Sequence, residues 1–223
     1  MRSKVLAALA AMVLVSTPAA AADFSFTGNF TQDDNVQLFN FVVGAPSSVT
    51  LRTWSYAGGT NAAGTTIARG GFDPILALFD SAGNLIDQND DGGCGLVAAD
   101  SGSGECWDTF LTAALTAGTY TVAVMQYDNF ANATLAAGFD RQGQGNFTPG
   151  MSGCAASQTA FEDVSESAAC GRDNHWAFDI LNVAGAELVV GGAVPEPSSW
   201  AMMLLGFAGI GMMIRRRRQP ALA

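Results

Sequence analysis

Lysine occurs once in the 223-residue chain, at Lys4, and histidine once, at His175. Each scarcity excludes chemistry. A body without lysine has little with which to displace counterions from phosphates, so nucleic acid and anionic lipid are excluded as its partners. The four cysteines, Cys94, Cys106, Cys154 and Cys170, contain no C-x-x-C pair. With a single histidine, that argues against zinc, which needs several closely spaced nitrogen or sulfur ligands. No G-x-S-x-G elbow is present to carry a serine nucleophile. A Ser-His-Asp site would have to be assembled around His175, and a histidine beside Trp176 at a strand entry is more simply a surface or hydrogen-bonded structural residue. Helical periodicity is also lacking through the centre of the chain.

Acidity is what remains. Once the ends holding Arg2, Lys4, Glu196 and Arg215 to Arg218 are set aside, 19 acidic residues face four arginines, Arg52, Arg69, Arg141 and Arg172. A body charge of −15 suits solubility, and it also suits the binding of divalent cations. So many carboxylates give many pairs of the kind glycosidases use, but nothing singles one out.

The two ends read as addresses rather than as fold. Met1 to Lys4 is a basic head, Val5 to Val15 an apolar run of signal-peptide length, and Ala19 to Ala22 offer small residues for cleavage. A cut after Ala22 leaves Asp23 first. The expected organisation is a signal peptide over 1–22, one domain over 23–192 and a sorting segment over 193–223. The domain is long enough for a real hydrophobic core.

At the other end, Val194-Pro195-Glu196-Pro197 cannot continue a helix, because each proline lacks a backbone donor and restricts the residue before it. An uncharged apolar run follows over 198–214, about 25 Å long as a helix, at the short limit of a bilayer span. Arg215, Arg216, Arg217 and Arg218 close it as a basic tail over 215–218. By the positive-inside rule they hold the C-terminus in the cytoplasm, with Trp200 at the outer interface. In order and position these parts resemble the PEP-CTERM sorting signal. The resemblance implies a membrane exosortase as partner, cleaving near the motif. It also implies an inner-membrane-anchored precursor with its domain in the periplasm, delivered after processing to the cell surface or extracellular matrix. Cargo of this kind is linked to exopolysaccharide and biofilm in Gram-negative bacteria.

Between the ends, short β-rich runs alternate with turn signals. The predicted strands are Phe24–Phe26, Val36–Val43, Val49–Tyr56, Ile75–Phe79, Asn84–Ile86, Phe110–Leu115, Thr119–Tyr127 and Trp176–Val183. Tyr120, Val122 and Val124 should share one face, as should Trp176, Phe178 and Ile180. Gly44-Ala-Pro46, Asp80-Ser-Ala-Gly83 and Ala117-Gly118 supply the turns. The fold class expected is all-β, an antiparallel sandwich. Phe39-Asn-Phe41, Asp73-Pro-Ile-Leu-Ala-Leu-Phe-Asp80, Gly83-Asn-Leu-Ile86, Asn89-Asp-Asp-Gly92 and Leu115-Thr-Ala-Gly-Thr-Tyr-Thr-Val122, in that order, resemble the bacterial pre-peptidase C-terminal domain. That resemblance implies a jelly-roll-like sandwich acting as a non-catalytic accessory. Two stretches depart from the family pattern: a Cys-bearing loop from Gly92 to Trp107 and an insert over 128–172.

An even cysteine count in an exported chain reads as disulfides. Of the three pairings, Cys94–Cys106 with Cys154–Cys170 is favoured because each bridge closes one of the departing loops, contributing up to about 3 kcal/mol in the chain-entropy model.

Asp87-Gln-Asn89-Asp-Asp91-Gly92 fits the first half of a calcium loop, where alternating oxygen side chains converge on a hard cation. The second half is missing, since Ala98 stands where an EF-hand has glutamate. Calcium is therefore a candidate cofactor through Asp87, Asn89 and Asp91, with Asp73, Asp90 and Asp108 as lesser candidates. The plainer alternative is an Asx-rich turn satisfying its own backbone. The function expected is a non-enzymatic surface or matrix protein. The alternatives are a calcium-dependent carbohydrate-binding module and, last, a secreted hydrolase.

Overall fold

The computed structural model of the protein describes residues 20–151, 158–163 and 170–190. Two antiparallel sheets face each other. One runs in the order β1 (Ala22–Asn29), β10 (His175–Val183), β3 (Ser47–Thr53) and β8 (Phe110–Leu115). The other runs β11 (Gly185–Leu188), β2 (Val36–Val43), β9 (Gly118–Gln126), β6 (Pro74–Phe79) and β7 (Leu85–Asn89). A short hairpin of β4 (Gly59–Thr60) and β5 (Thr66–Ile67) stands apart. The body is thus an all-β, sandwich-like arrangement of antiparallel strands.

The alternation read from the sequence is what fills the space between the sheets. Val122 and Val124 from β9, with Tyr120, pack in one buried cluster with Trp176, Phe178 and Ile180 from β10. Phe39 of β2 is at the centre of the aromatic contacts, 5.1 Å from the Phe178 ring, 5.6 Å and edge-on from Trp176, and 4.7 Å from Phe26. Rings offset or tilted in this way add about 0.5–1.5 kcal/mol per pair beyond the area they bury.

Strand β6 is different, because all six of its residues are buried. Leu76 and Leu78 face the inter-sheet core, whereas Ile75, Ala77 and Phe79 join a second cluster with Leu38, Ala123, Met125, Ala131 and Phe139. That outer face is covered by the segment after β9, which accounts for a continuous apolar run where one-sided burial would give alternation. The covering segment is tied down by Leu135 N donating to the Gly83 carbonyl at 2.8 Å. Arg141 adds a two-pronged ion pair with Asp128, both contacts 2.7 Å. Part of the glycine-rich insert is therefore a roof over the five-stranded sheet.

Several boundaries differ from the sequence reading, most by one or two residues and β1 by three at its end, and two of them matter for the site. The strand expected to reach Tyr56 ends at Thr53, because the amides of Tyr56 and Ala57 turn to donate to the Asp108 carboxylate at 3.1 and 2.9 Å. The strand expected to end at Ile86 continues through Asn89, paired to β6 with Leu76 opposite Asn89. Asp87 and Asn89 thus lie on a strand and not in a loop. The edge strand β11, whose Gly-Ala-Glu-Leu carries no alternation, was not expected.

Candidate functional site

One end of the sandwich gathers carboxylates. Among the described residues, Asp33, Asp73, Asp100, Asp108, Glu162, Asp163 and Asp179 are all buried, against one buried arginine, Arg172. A buried charge is tolerated only when paired, hydrogen-bonded or bound to a metal. Most of these acids have conventional partners.

Asp108 is an example. It accepts from the Thr53 hydroxyl at 2.9 Å as well as from the two backbone amides of the preceding turn. Burial still pushes its carboxyl above the ordinary range, with those donors working the other way. Asp33 accepts from the Thr148 amide and hydroxyl at 2.8 and 2.6 Å and from the Phe161 amide at 2.7 Å. Asp179 takes the Trp54 indole at 2.7 Å and the Ala62 amide at 2.8 Å.

Asp100 anchors the loop closed by the Cys94–Cys106 disulfide, which is present as expected. Arg69 grips it through Nε at 2.6 Å and Nη2 at 2.7 Å, and the Ser103 amide adds 2.9 Å. Burial works against its charge, but Arg69, the Ser103 donors and Arg172 together hold its carboxyl well below the usual carboxylate range. Cys170 is also disulfide-bonded, while Cys154 of the second expected bridge lies outside the described residues.

Asp73 breaks the pattern. It is 8% exposed, and its enclosed Oδ1 has no hydrogen-bond donor. Burial raises its carboxyl well above the ordinary value, followed by the charges of Asp91, Asp163, Asp90 and Asp108. Two amide oxygens on neighbouring strands share this condition, Asn89 Oδ1 on β7 and Gln126 Oε1 on β9. An enclosed acceptor without a donor costs about 1–3 kcal/mol, so three together are a notable deficit. Sequence reasoning singled out Asn89 and Asp73 but missed Gln126. The available signal was a lone polar residue on the inward face of an alternating strand.

The remaining expected calcium residues divide. Asp91 is exposed, yet desolvation, followed by the charges of Asp90 and Glu105, pushes its carboxyl up to about 6. Asp90 lends its backbone carbonyl to the Thr109 hydroxyl at 3.0 Å. Asp87 is exposed and accepts from the Gln88 amide at 2.9 Å. Among the described residues, no three His, Cys, Asp or Glu side chains converge as a metal-ligand group. Any cation held here would therefore need amide or carbonyl oxygens in its shell.

His175 spends both ring nitrogens on structure. Nδ1 hydrogen-bonds with Asp173 and Nε2 donates to the Ala68 carbonyl at 3.1 Å.

The described body is thus of one class, a disulfide-bearing β-sandwich with an acidic end. The segment that follows it is more specific: residues 193–218 match the PEP-CTERM protein-sorting motif. Such a motif implies exosortase-dependent sorting of an exported protein through a membrane-anchored precursor. No curated protein matches the chain. Val194, Pro195, Glu196 and Pro197, the apolar run over 198–214 and Arg215 to Arg218 lie outside the described residues, as do residues 1–19. Among the described residues, no helix is long and apolar enough to cross a membrane.

Proposed function

We propose that this chain is a non-enzymatic cell-surface or extracellular-matrix protein of a Gram-negative bacterium, released from its membrane anchor by an exosortase and associated with exopolysaccharide or biofilm. The observation carrying this reading is the sorting motif at residues 193–218, immediately beyond a sandwich whose last strand ends at Leu188. In this reading the body is a jelly-roll-like pre-peptidase C-terminal type of domain, which serves as an accessory and not as a catalyst. His175, the lone histidine, supports that view because both its nitrogens are engaged by Asp173 and Ala68. Replacing Pro195, Glu196 and Pro197 by alanine tests the sorting claim. The expected result is an unprocessed precursor that stays with the inner membrane, read by mass spectrometry of fractionated cells. Normal release at normal mass would overturn it.

A second reading, a calcium-dependent carbohydrate-binding module, is favoured by an amide-lined cleft of about 420 Å³ bounded by Asn29, Gln32, Asn35, Gln37 and Gln142. Primary amides present a donor and an acceptor together, the complement of vicinal sugar hydroxyls. Glycan-array binding that disappears with chelator is its expected signature. Retention of the same glycans in chelator would remove calcium from it.

A further inference from the structure

Gln126 is paired with Pro74 in the β9–β6 ladder, and Asn89 with Leu76 in the β7–β6 ladder. Alternate residues on a strand share a face. Gln126 therefore continues the row of Val122 and Val124, and Asn89 stands beside Leu76, all on the side of the inter-sheet core. Asp73 immediately precedes Pro74, and its carbonyl accepts from Tyr127 N at 2.9 Å. Three adjoining strands thus bring three polar side chains to the same end of one sheet. Gln126 is 1% exposed and Asp73 8%, and each encloses an oxygen that meets no protein donor, as does Asn89. Asp91 lies two residues beyond Asn89 in the chain.

The contrast with neighbouring acids gives this meaning. Asp33, Asp100 and Asp108 are just as buried, and each is supplied with at least three donors. Asp179 takes two donors, both on Oδ2, although its Oδ1 meets none. Asp73 Oδ1, Asn89 Oδ1 and Gln126 Oε1 are each enclosed without a donor, while Gln126 Nε2 is turned to the Glu162 carbonyl at 3.5 Å. Acceptors without donors, all of them oxygen, are the chemistry of a hard cation and not of zinc or copper.

We propose that Asp73, Asn89, Asp91 and Gln126 form a calcium site at the β7–β6–β9 end of the sandwich. Two carboxylates balance the ion's charge, and two amide oxygens add neutral ligands. Calcium accepts such a mixed and irregular shell, whereas magnesium demands near-octahedral geometry and keeps its waters. The ligand set is not the linear Asp87-Asn89-Asp91 loop: Asp87 drops out, and Gln126 enters from a strand 37 residues further along the chain. The proposal stands apart from the sorting reading and from any glycan, and it would supply the ion that the carbohydrate reading requires.

The test is calcium titration of the chelator-stripped full-length protein, by equilibrium dialysis and by thermal melting. The wild type should bind calcium and melt several degrees higher when saturated, by mass action. Asp73→Asn should weaken the calcium dissociation constant at least tenfold, yet melt no lower than wild type in chelator, because it removes a buried charge that lacks a donor. Gln126→Leu should also lose the calcium response. Asp87→Asn should keep it. An unchanged calcium response in Asp73→Asn, or identical wild-type melting with calcium and with chelator, overturns the site. An equal shift with magnesium overturns its assignment to calcium.

Discussion

The guanidinium carbon of Arg172 lies 3.6 Å from the centre of the Tyr56 ring, and Nη2 of the same side chain donates to the Tyr56 carbonyl at 2.7 Å. Nε reaches the Gly71 carbonyl at 2.9 Å, and Nη1 lies 3.5 Å from Asp100. Arg172 thus joins the residues before β10, the turn after β3, the approach to β6 and the disulfide-closed loop. The Tyr56 hydroxyl extends the link by donating to Asp163 at 2.9 Å. Backbone bonds already tie three of these segments, through the Gly71–Asp173 bridge and the Gly70 and Gly71 amides on Tyr56 and Ser55, and the buried cation adds the disulfide-closed loop to them.

Removing that cation should be costly. Arg172→Met keeps much of the volume but leaves two enclosed carbonyls without these donors and the buried Asp100 with one arginine fewer. A loss of about 3–5 kcal/mol is expected, the range for breaking one side of a buried pair. Arg69→Met removes the other arginine on Asp100, but that side chain is 44% exposed. Solvent and salt already screen such a contact, so about 1 kcal/mol or less is expected. Urea midpoints of the two variants compare them directly, and equal losses would contradict the division.

The Cys94–Cys106 bridge closes a loop with a sequence separation of 12. Within it the Asp100 amide donates to the Glu105 carbonyl at 2.8 Å, and Trp107 beyond it packs 5.2 Å from Tyr56. Replacing both cysteines by serine should lower stability by up to about 3 kcal/mol. Reductant should destabilise the wild type further than this double variant, in a denaturation series run with and without dithiothreitol. Equal responses to reductant would remove this bridge from the account of stability.

Much of this architecture was legible because it rests on period-two patterning. Val36–Val43 and Phe110–Leu115 are strands with the bounds that their alternation gives. What was not legible depends on long-range partners. Thr53 ends its strand because Asp108, 55 residues away, takes the amides that follow. Strand β7 continues through Asp87 and Asn89 because β6 offers a ladder, overriding the turn propensity of an Asp/Asn-rich run. Alternation with Val122 and Val124 marks Gln126 as inward-facing, but only the register sets it beside Pro74 and Asp73. Cys94–Cys106 was legible from proximity in the chain.

The acidic end should also give the calcium-free protein an unusual pH profile. Desolvation, together with neighbouring carboxylates, raises Asp73 above its unfolded value and pushes Asp91 up to about 6; burial raises Asp108. A group whose folded pKa is raised takes up its proton in the folded state first. Stability should therefore increase as pH falls from about 7 through about 6 toward the unfolded carboxylate value near 4. Asp100 has the opposite sign. Its lowered folded pKa contributes stability that is complete above about pH 4 and is lost as pH falls further. In chelator, the urea midpoint should be higher at about pH 4.5 than at about pH 7, and lower again at about pH 2.5. A midpoint that declines steadily from neutral pH downward would contradict the role given to the raised group.

The last prediction concerns a position where only hydrogen fits. Gly28 on β1 faces Trp176 on β10 in direct register. A Cβ at Gly28 would come 2.3 Å from Trp176 Cζ2, 2.7 Å from Cε2 and 2.9 Å from Cη2. The indole has little freedom to yield, since Phe39 abuts it edge-on at 5.6 Å and Phe30 at 6.2 Å. Gly28→Ala should accordingly cost about 1–3 kcal/mol as an overpacked site. The three clashing atoms all belong to the six-membered half of the indole, which Trp176→Phe shortens. That change alone leaves a cavity, but combined with Gly28→Ala it returns the room the methyl needs. The double variant should therefore be more stable than the sum of the two losses by about 1 kcal/mol or more, as expected for residues in contact. Strict additivity in that cycle would show that the strand, and not the indole, bears the strain.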